Sequence, residues 1–219
     1  MAQLFRPGAN TIVRIALVSL VAGPAAVLGG AMALQRTSYV TGQHRFVDQP
    51  VPFSHQHHVG DLGLDCRFCH GGVESAAYAG TPPTKTCMTC HSQIWTNAEM
   101  LAPVRESFAK GVPIAWNRVN DLPGYVYFDH HVHVNNGVPC AACHGDVSKM
   151  PLTVKAAPMT MQFCLGCHRE PAQRLVPQQK VFDPEVRAEI GEEAAKVIHA
   201  RVAALPKTQS LTDCSVCHR

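Results

Sequence analysis

The pattern of apolar and polar positions changes character once, near residue 36. Before it, Ile15 to Leu34 form a 20-residue run without a charge, flanked by Arg14 and Arg36. That length crosses the hydrocarbon core of a bilayer as one helix. Gly23-Pro24 and Gly29-Gly30 would weaken a soluble helix and are tolerated in a membrane. Ala31-Met32-Ala33 resembles a signal-peptidase site, but the run is longer than a usual signal core, so a retained anchor at 15–35 is expected.

After residue 36 no long period of either kind is sustained. Pro82-Pro83, Pro113, Pro123 and Pro139 break the chain into short pieces, which predicts short helices and loops. One helix is well signalled over 183–206. Asp183 can cap it, Pro184 suits its first turn and Pro206 closes it, with Val186, Ile190, Val197, Ile198 and Val202 along its apolar side.

The chain also repeats itself. Phe53-Ser54-His55-Gln56-His57-His58-Val59 matches Phe128-Asp129-His130-His131-Val132-His133-Val134 at an offset of 75. Each copy is followed by C-x-x-C-H-G, at Cys66 and Cys140, and then by a second C-x-x-C-H, at Cys87 and Cys164. A fifth C-x-x-C-H starts at Cys214. The starts are 21, 53, 24 and 50 residues apart, a rhythm of two pairs and one single motif.

Composition sharpens this. All ten cysteines fall in those five motifs: Cys66, Cys69, Cys87, Cys90, Cys140, Cys143, Cys164, Cys167, Cys214 and Cys217. Each pair is followed at once by a histidine: His70, His91, His144, His168 or His218. With 13 His in 219 residues, five such hits by chance have odds of about one in a million. C-x-x-C-H is the attachment site of c-type haem. Two thiols add to the porphyrin vinyl groups and the adjacent His reaches the iron. Zinc ribbons, thioredoxin-like redox pairs and structural disulfides need no His after the second Cys. Five covalent haem c groups, with their iron, are therefore the expected cofactors, and the fold class is a multihaem cytochrome c. A net charge of +3 is too weak to argue for nucleic acid.

Eight histidines remain: His44, His55, His57, His58, His130, His131, His133 and His199. In F-x-H-x-x-H the two His lie one turn apart on one side, where each can reach a different haem. His55, His58, His130 and His133 are therefore assigned as distal ligands, with His57 and His131 as bystanders. The fifth distal ligand stays open. His199 falls with Glu192 and Lys196 on the polar side of its helix, and His44 lies just beyond the anchor. Among thioethers, Met100, Met150, Met159 and Met161 are available, with Met150 preferred and Met161 next.

This inventory suffices to fill every iron, and no variant C-x-x-C-K motif is present. Electron transfer is thus favoured over a multihaem reductase, which needs an open iron, and no catalytic residue is expected. Haem is attached outside the bacterial cytoplasmic membrane, so residues from about 36 onward are expected on the periplasmic side and 1–14 in the cytoplasm. The duplicated tetrahaem part should span 36–175, and the last helix and fifth haem 176–219.

Pro113-Ile114-Ala115-Trp116-Asn117-Arg118-Val119-Asn120-Asp121-Leu122-Pro123, running into Tyr127-Phe128-Asp129-His130, resembles the pentahaem, membrane-anchored subunit of the bacterial alternative complex III. The five motifs, the single span and the F-x-H-x-x-H pairs agree with that resemblance over nearly the whole chain. It implies a quinol-oxidising respiratory complex with polytopic quinol-binding subunits and an iron–sulfur subunit related to molybdopterin enzymes. Electrons would leave through a monohaem cytochrome, a soluble cytochrome c or a copper protein. The alternative is a stand-alone membrane-anchored quinol dehydrogenase feeding a periplasmic reductase. Arg118 fits either a haem propionate or solvent.

Eight Phe, four Tyr and two Trp are few for 219 residues. The porphyrins are then expected to supply the missing flat apolar mass. The haem-free chain should give no cooperative thermal transition by circular dichroism, while the haem-loaded chain should melt cooperatively.

Overall fold

The computed structural model describes residues 6, 8–186, 196–197, 200, 202–204 and 210–218. It divides into two compact units, Met1–Gln43 and His44–Arg219. In the first, helix α1 runs Ala9–Leu34. It starts six residues before the uncharged run and so takes Arg14 into its first turns; helix formation there needs only the backbone, whereas the sequence reading counted charge. Pro24 lies inside it, and none of its residues is buried. It is long and apolar enough to cross a membrane. A short helix α2, Ser38–Thr41, ends on Gly42 at φ +70°.

The second unit is built of short helices: α3 Cys66–Cys69, α4 Thr84–His91, α5 Ala102–Lys110, α6 His130–Asn135, α7 Cys140–His144, α8 Met161–Arg169 and α9 Cys214–Cys217. A π-type turn, Gln56–Asp61, precedes α3. No strand occurs among the described residues; Phe46 and Val154 make an isolated bridge. The C-x-x-C-H motifs are helical because two cysteines three apart share one face of a turn. Local caps support them. Asp65 accepts from the Arg67 backbone N–H at 2.8 Å, and Thr160 Oγ1 from that of Phe163 at 3.3 Å.

Among the described residues the side chains form two small apolar clusters rather than one core. Val73, Val134, Val176 and Val181 make the first, with Phe182 and Val186 against it. Val51, Leu101 and Val104 make the second, with Met88, Ile114 and Trp116. The proline-bounded segment 113–123 is held by polar contacts. Gln49 and the Asn117 backbone exchange two hydrogen bonds at 2.8 and 3.0 Å, and Asn117 Nδ2 donates to the Asp48 carbonyl at 2.6 Å. Of the expected helix over 183–206, Asp183 Oδ1 accepts from Glu185 N at 3.0 Å. Most of that helix, His199 and Ile190 included, lies outside the described residues.

Gly137 ties the first cluster together. It follows α6 at φ +91°, and its carbonyl accepts from Val176 N at 2.8 Å. A Cβ there would stand 2.5 Å from the Val176 carbonyl oxygen. Gly137→Ala should destabilise the haem-loaded protein by about 2 kcal/mol, lowering Tm by roughly 4–8 °C. Gly124→Ala, where a Cβ meets nothing within 4 Å, should leave Tm unchanged in the same scan.

Candidate haem-ligand site

Each repeat delivers its two histidines from one turn, with the leading Phe packed beneath them. Phe53 lies 4.4 Å from His58 at an interplanar angle of 23°, and 4.9 Å edge-on from His55 at 87°. Phe128 holds His133 and His130 at 4.5 Å, 26° and 4.8 Å, 89°. The first copy is a π-type turn and the second an α-helix, yet the ring arrangement is the same.

Those four rings stand opposite four of the motif histidines. His55 faces His70 at 6.4 Å between ring centres with 8° between planes, and His130 faces His144 at 6.4 Å and 7°. His58 and His91 are 6.2 Å apart at 65°, and His133 and His168 are 6.1 Å apart at 28°. Two imidazoles bound through Nε2 to one metal have ring centres about 6.2 Å apart, from roughly 2.0 Å per metal–nitrogen bond and about 1.1 Å from nitrogen to ring centre. The observed separations fit pairs of imidazoles that would each hold one haem iron between them.

The back of each ring makes the same argument. Nδ1 lies against a backbone carbonyl in seven rings: His58 on Ser54 at 2.8 Å, His70 on Gly80 at 2.7 Å, His91 on Ile94 at 3.3 Å and His130 on Ala77 at 2.8 Å. His133 on Asp129, His168 on Leu211 and His218 on Tyr125 follow at 2.7, 2.8 and 3.1 Å. A carbonyl only accepts, so Nδ1 carries the proton and Nε2 keeps its lone pair for a metal. Burial holds His55 and His144 at about 4 and pushes His58 and His133 down as well, so these rings are neutral donors near pH 7.

Two rings rest on side chains instead. His55 Nδ1 is 2.8 Å from Thr153 Oγ1. His144 Nδ1 is 3.2 Å from Asn120 Nδ2, while Asn120 Oδ1 is buried without a partner. A half-turn of the carboxamide places that oxygen on the His144 N–H and satisfies both groups. Neither Thr153 nor Asn120 was singled out from the sequence, where nothing marks them as partners of a ligand.

The donors are arranged for haem rather than for a bare ion. Among the described residues no three His, Cys, Asp or Glu side chains converge, as a zinc site requires. None of the ten cysteines is in a disulfide.

The other histidines and the candidate thioethers sit elsewhere. His57 lies 6.1 Å from the Trp95 ring and 3.6 Å from Asp61. His131 pairs with Asp129. His44 is exposed with φ +57°. Among the described residues no second imidazole stands opposite His218, whose neighbour Tyr125 lies on its Nδ1 side. Met161 is exposed on the first turn of α8, and the Met150 methyl lies beside Gly145, next to His144. Arg118 is exposed, 3.3 Å from Asp121 and 5.7 Å over the Tyr78 ring.

Residues 126–219 match the family described as cytochrome c7 and related cytochrome c. Over 98 residues the chain is 36% identical to the menaquinone reductase multihaem cytochrome c subunit of Nitratidesulfovibrio vulgaris, covering 44% of this chain and 46% of that protein. The chain thus spans less than half the length of the curated relative it matches. The fold is that of a multihaem cytochrome c, helical and with one N-terminal apolar helix, and the cofactor of that class is covalently bound haem c.

Asn120 gives a test of the ligand hydrogen bonds. Asn120→Asp places a carboxylate on the His144 N–H and makes that imidazole more electron-rich. Potentiometric titration should show one haem moving to lower potential while the others stay in place. Asn120→Leu, which removes the acceptor, should move the same haem upward.

Proposed function

We propose that this chain is a membrane-anchored five-haem electron conduit within a quinol-linked respiratory complex. The observation that carries this reading is the set of four opposed imidazole pairs, which supports axial ligation at both faces of four haems. In this reading His55 and His70 hold the haem of the first motif and His58 and His91 the second. His130 and His144 hold the third, His133 and His168 the fourth. His218 would hold the fifth; of the two thioethers, Met161 on the helix of the fourth motif is the better candidate for its sixth ligand, since Met150 lies beside Gly145, next to His144. Bound haem iron supplies a one-electron couple.

The chain's own residues then do three things. Their imidazoles occupy the positions that a substrate would need, which favours electron transfer over reduction of a small molecule. The Nδ1 hydrogen bonds hold each ring in place and raise its donor strength. The phenylalanines beneath the paired rings keep water away and fix their spacing.

For topology we propose α1 as the membrane anchor, with 1–14 cytoplasmic, 15–35 spanning and the haem-bearing residues 36–219 periplasmic. Iron–sulfur and polytopic quinol-binding subunits are the partners implied by the resemblance to alternative complex III, with a monohaem cytochrome or soluble carrier beyond. That resemblance favours quinol oxidation. The likeness to a menaquinone reductase subunit supports a second reading in which electrons run towards the quinone.

Purification of the full-length protein from its native membrane in mild detergent tests the assembly. Intact mass should show five haems, and iron–sulfur and polytopic subunits should co-elute in fixed ratio. Elution alone with retained quinol oxidation would point to the stand-alone dehydrogenase. Stoichiometric carbon monoxide binding at one of the four paired haems would point to a reductase.

A further inference from the structure

The motifs are not neighbours in the order in which the chain presents them. The two repeats meet through their first members. Cys140 N donates to the Val181 carbonyl at 3.2 Å, and Cys66 Sγ lies 3.7 Å from the carbonyl of the next residue, Phe182. The same strap of chain thus holds the leading cysteine of both repeats. The ring of the third motif's distal candidate is held from the first repeat as well. His130 N and Nδ1 both donate to the Ala77 carbonyl, at 3.0 and 2.8 Å, in the loop just after His70.

The other junctions follow from shared turns. His55 and His58 leave one turn for His70 and His91, so the first and second motifs adjoin; Cys69 and Cys87 also feel each other electrostatically. His130 and His133 join the third motif to the fourth in the same way, and Cys143 is close to Cys164 and Cys167. The fifth motif is tied to the fourth, because His168 Nδ1 donates to the Leu211 carbonyl at 2.8 Å and Cys164 neighbours Cys217.

We propose that the five haem centres lie in space in the order of motifs Cys87, Cys66, Cys140, Cys164, Cys214, so that the second and fifth motifs are the two ends of the electron path. This rests on the reading above that each motif carries a haem. Exposure supports it independently: Cys90 and Cys214 are the two exposed cysteines of the ten, one in each end motif. The middle motif holds His144, among the most deeply buried of the ligand rings, on its interior acceptor Asn120. Electron hopping falls steeply with distance. Partners that deliver or collect electrons therefore meet the Cys87 and Cys214 motifs, and the first motif in sequence is an interior relay.

Single-particle cryo-microscopy of the haem-loaded full-length protein, alone or in its complex, tests this directly. The iron held by His70 should have two near neighbours, those held by His91 and His144, and the iron held by His91 should have one. An iron at His91 that lies nearest to the iron at His144 overturns the order. Fewer than five irons would instead refute the five-haem reading, leaving the order of the remaining ones to be read from the same map. Two variants give a solution test. In Cys66→Ala/Cys69→Ala protein, with four haems by intact mass, one haem should drop out of the concentration-independent electron equilibration after flash photoreduction. It should then exchange at a rate proportional to protein concentration. In Cys87→Ala/Cys90→Ala protein all four haems should share the fast phase. Chain order requires the opposite result in both.

Discussion

The hydrogen bond at the back of each imidazole is the constraint on which the site depends. A histidine has two nitrogens, and only a ring whose Nδ1 is committed presents Nε2 to a metal in one tautomer and one orientation. Here the commitment is made mainly by the backbone. Seven rings donate to carbonyls of residues scattered from Ser54 to Leu211, so the loops between motifs act as the mould for the ligands. This explains why a unit with two small apolar clusters keeps defined loops. Their paths are fixed by where the rings must point, in place of a large hydrocarbon core.

Much of the site was legible because the chain states it twice. F-x-H-x-x-H predicts two ligands from one turn. The structure gives the two histidines of each copy matching ring geometry in two different backbone forms, a π-type turn at 56–61 and an α-helix at 130–135. The reason is local: a residue three positions along comes back to the same side in either turn, and the Phe supplies a floor. The acceptors were not legible. A carbonyl has no side-chain signature, and Thr153 and Asn120 lie 98 and 24 residues from the rings they serve. The strap Val181-Phe182 was likewise invisible, since it reads as two apolar residues after a loop. Helix α1 begins before the uncharged run for another reason. Charge marks where a segment can enter lipid, whereas a helix begins wherever its backbone bonds do.

The same logic separates the conduit from a catalyst. A reductase must leave one face of an iron free and line it with groups that bind substrate. In four motifs a second imidazole, backed by its own hydrogen bond, stands opposite the motif histidine, which in the proposed reading would leave no face free. Removing such a ligand would cost both the metal bond and the buried bond behind it. The relative from Nitratidesulfovibrio vulgaris is the multihaem cytochrome c subunit of a menaquinone reductase. A passive conduit is compatible with either direction of flow, because the direction is set by the potentials of whatever sits at its two ends.

Duplication then shapes the path. Had the two repeats joined tail to head, the second motif would adjoin the third, and the C-terminal motif would extend a path running in chain order. They join head to head instead, since Val181 and Phe182 hold Cys140 and Cys66 side by side. The second member of each repeat is thereby turned outward. On one side it stays an end, at Cys87. On the other it is covered by the loop carrying Leu211 and the Cys214 motif. One added motif at the C-terminus therefore breaks the equivalence of the two halves. It leaves at one end a motif whose His91 is faced by His58 and, at the other, one whose described surroundings bring no second imidazole to His218. The two ends are thus chemically unlike, which is what a conduit between two different partners requires.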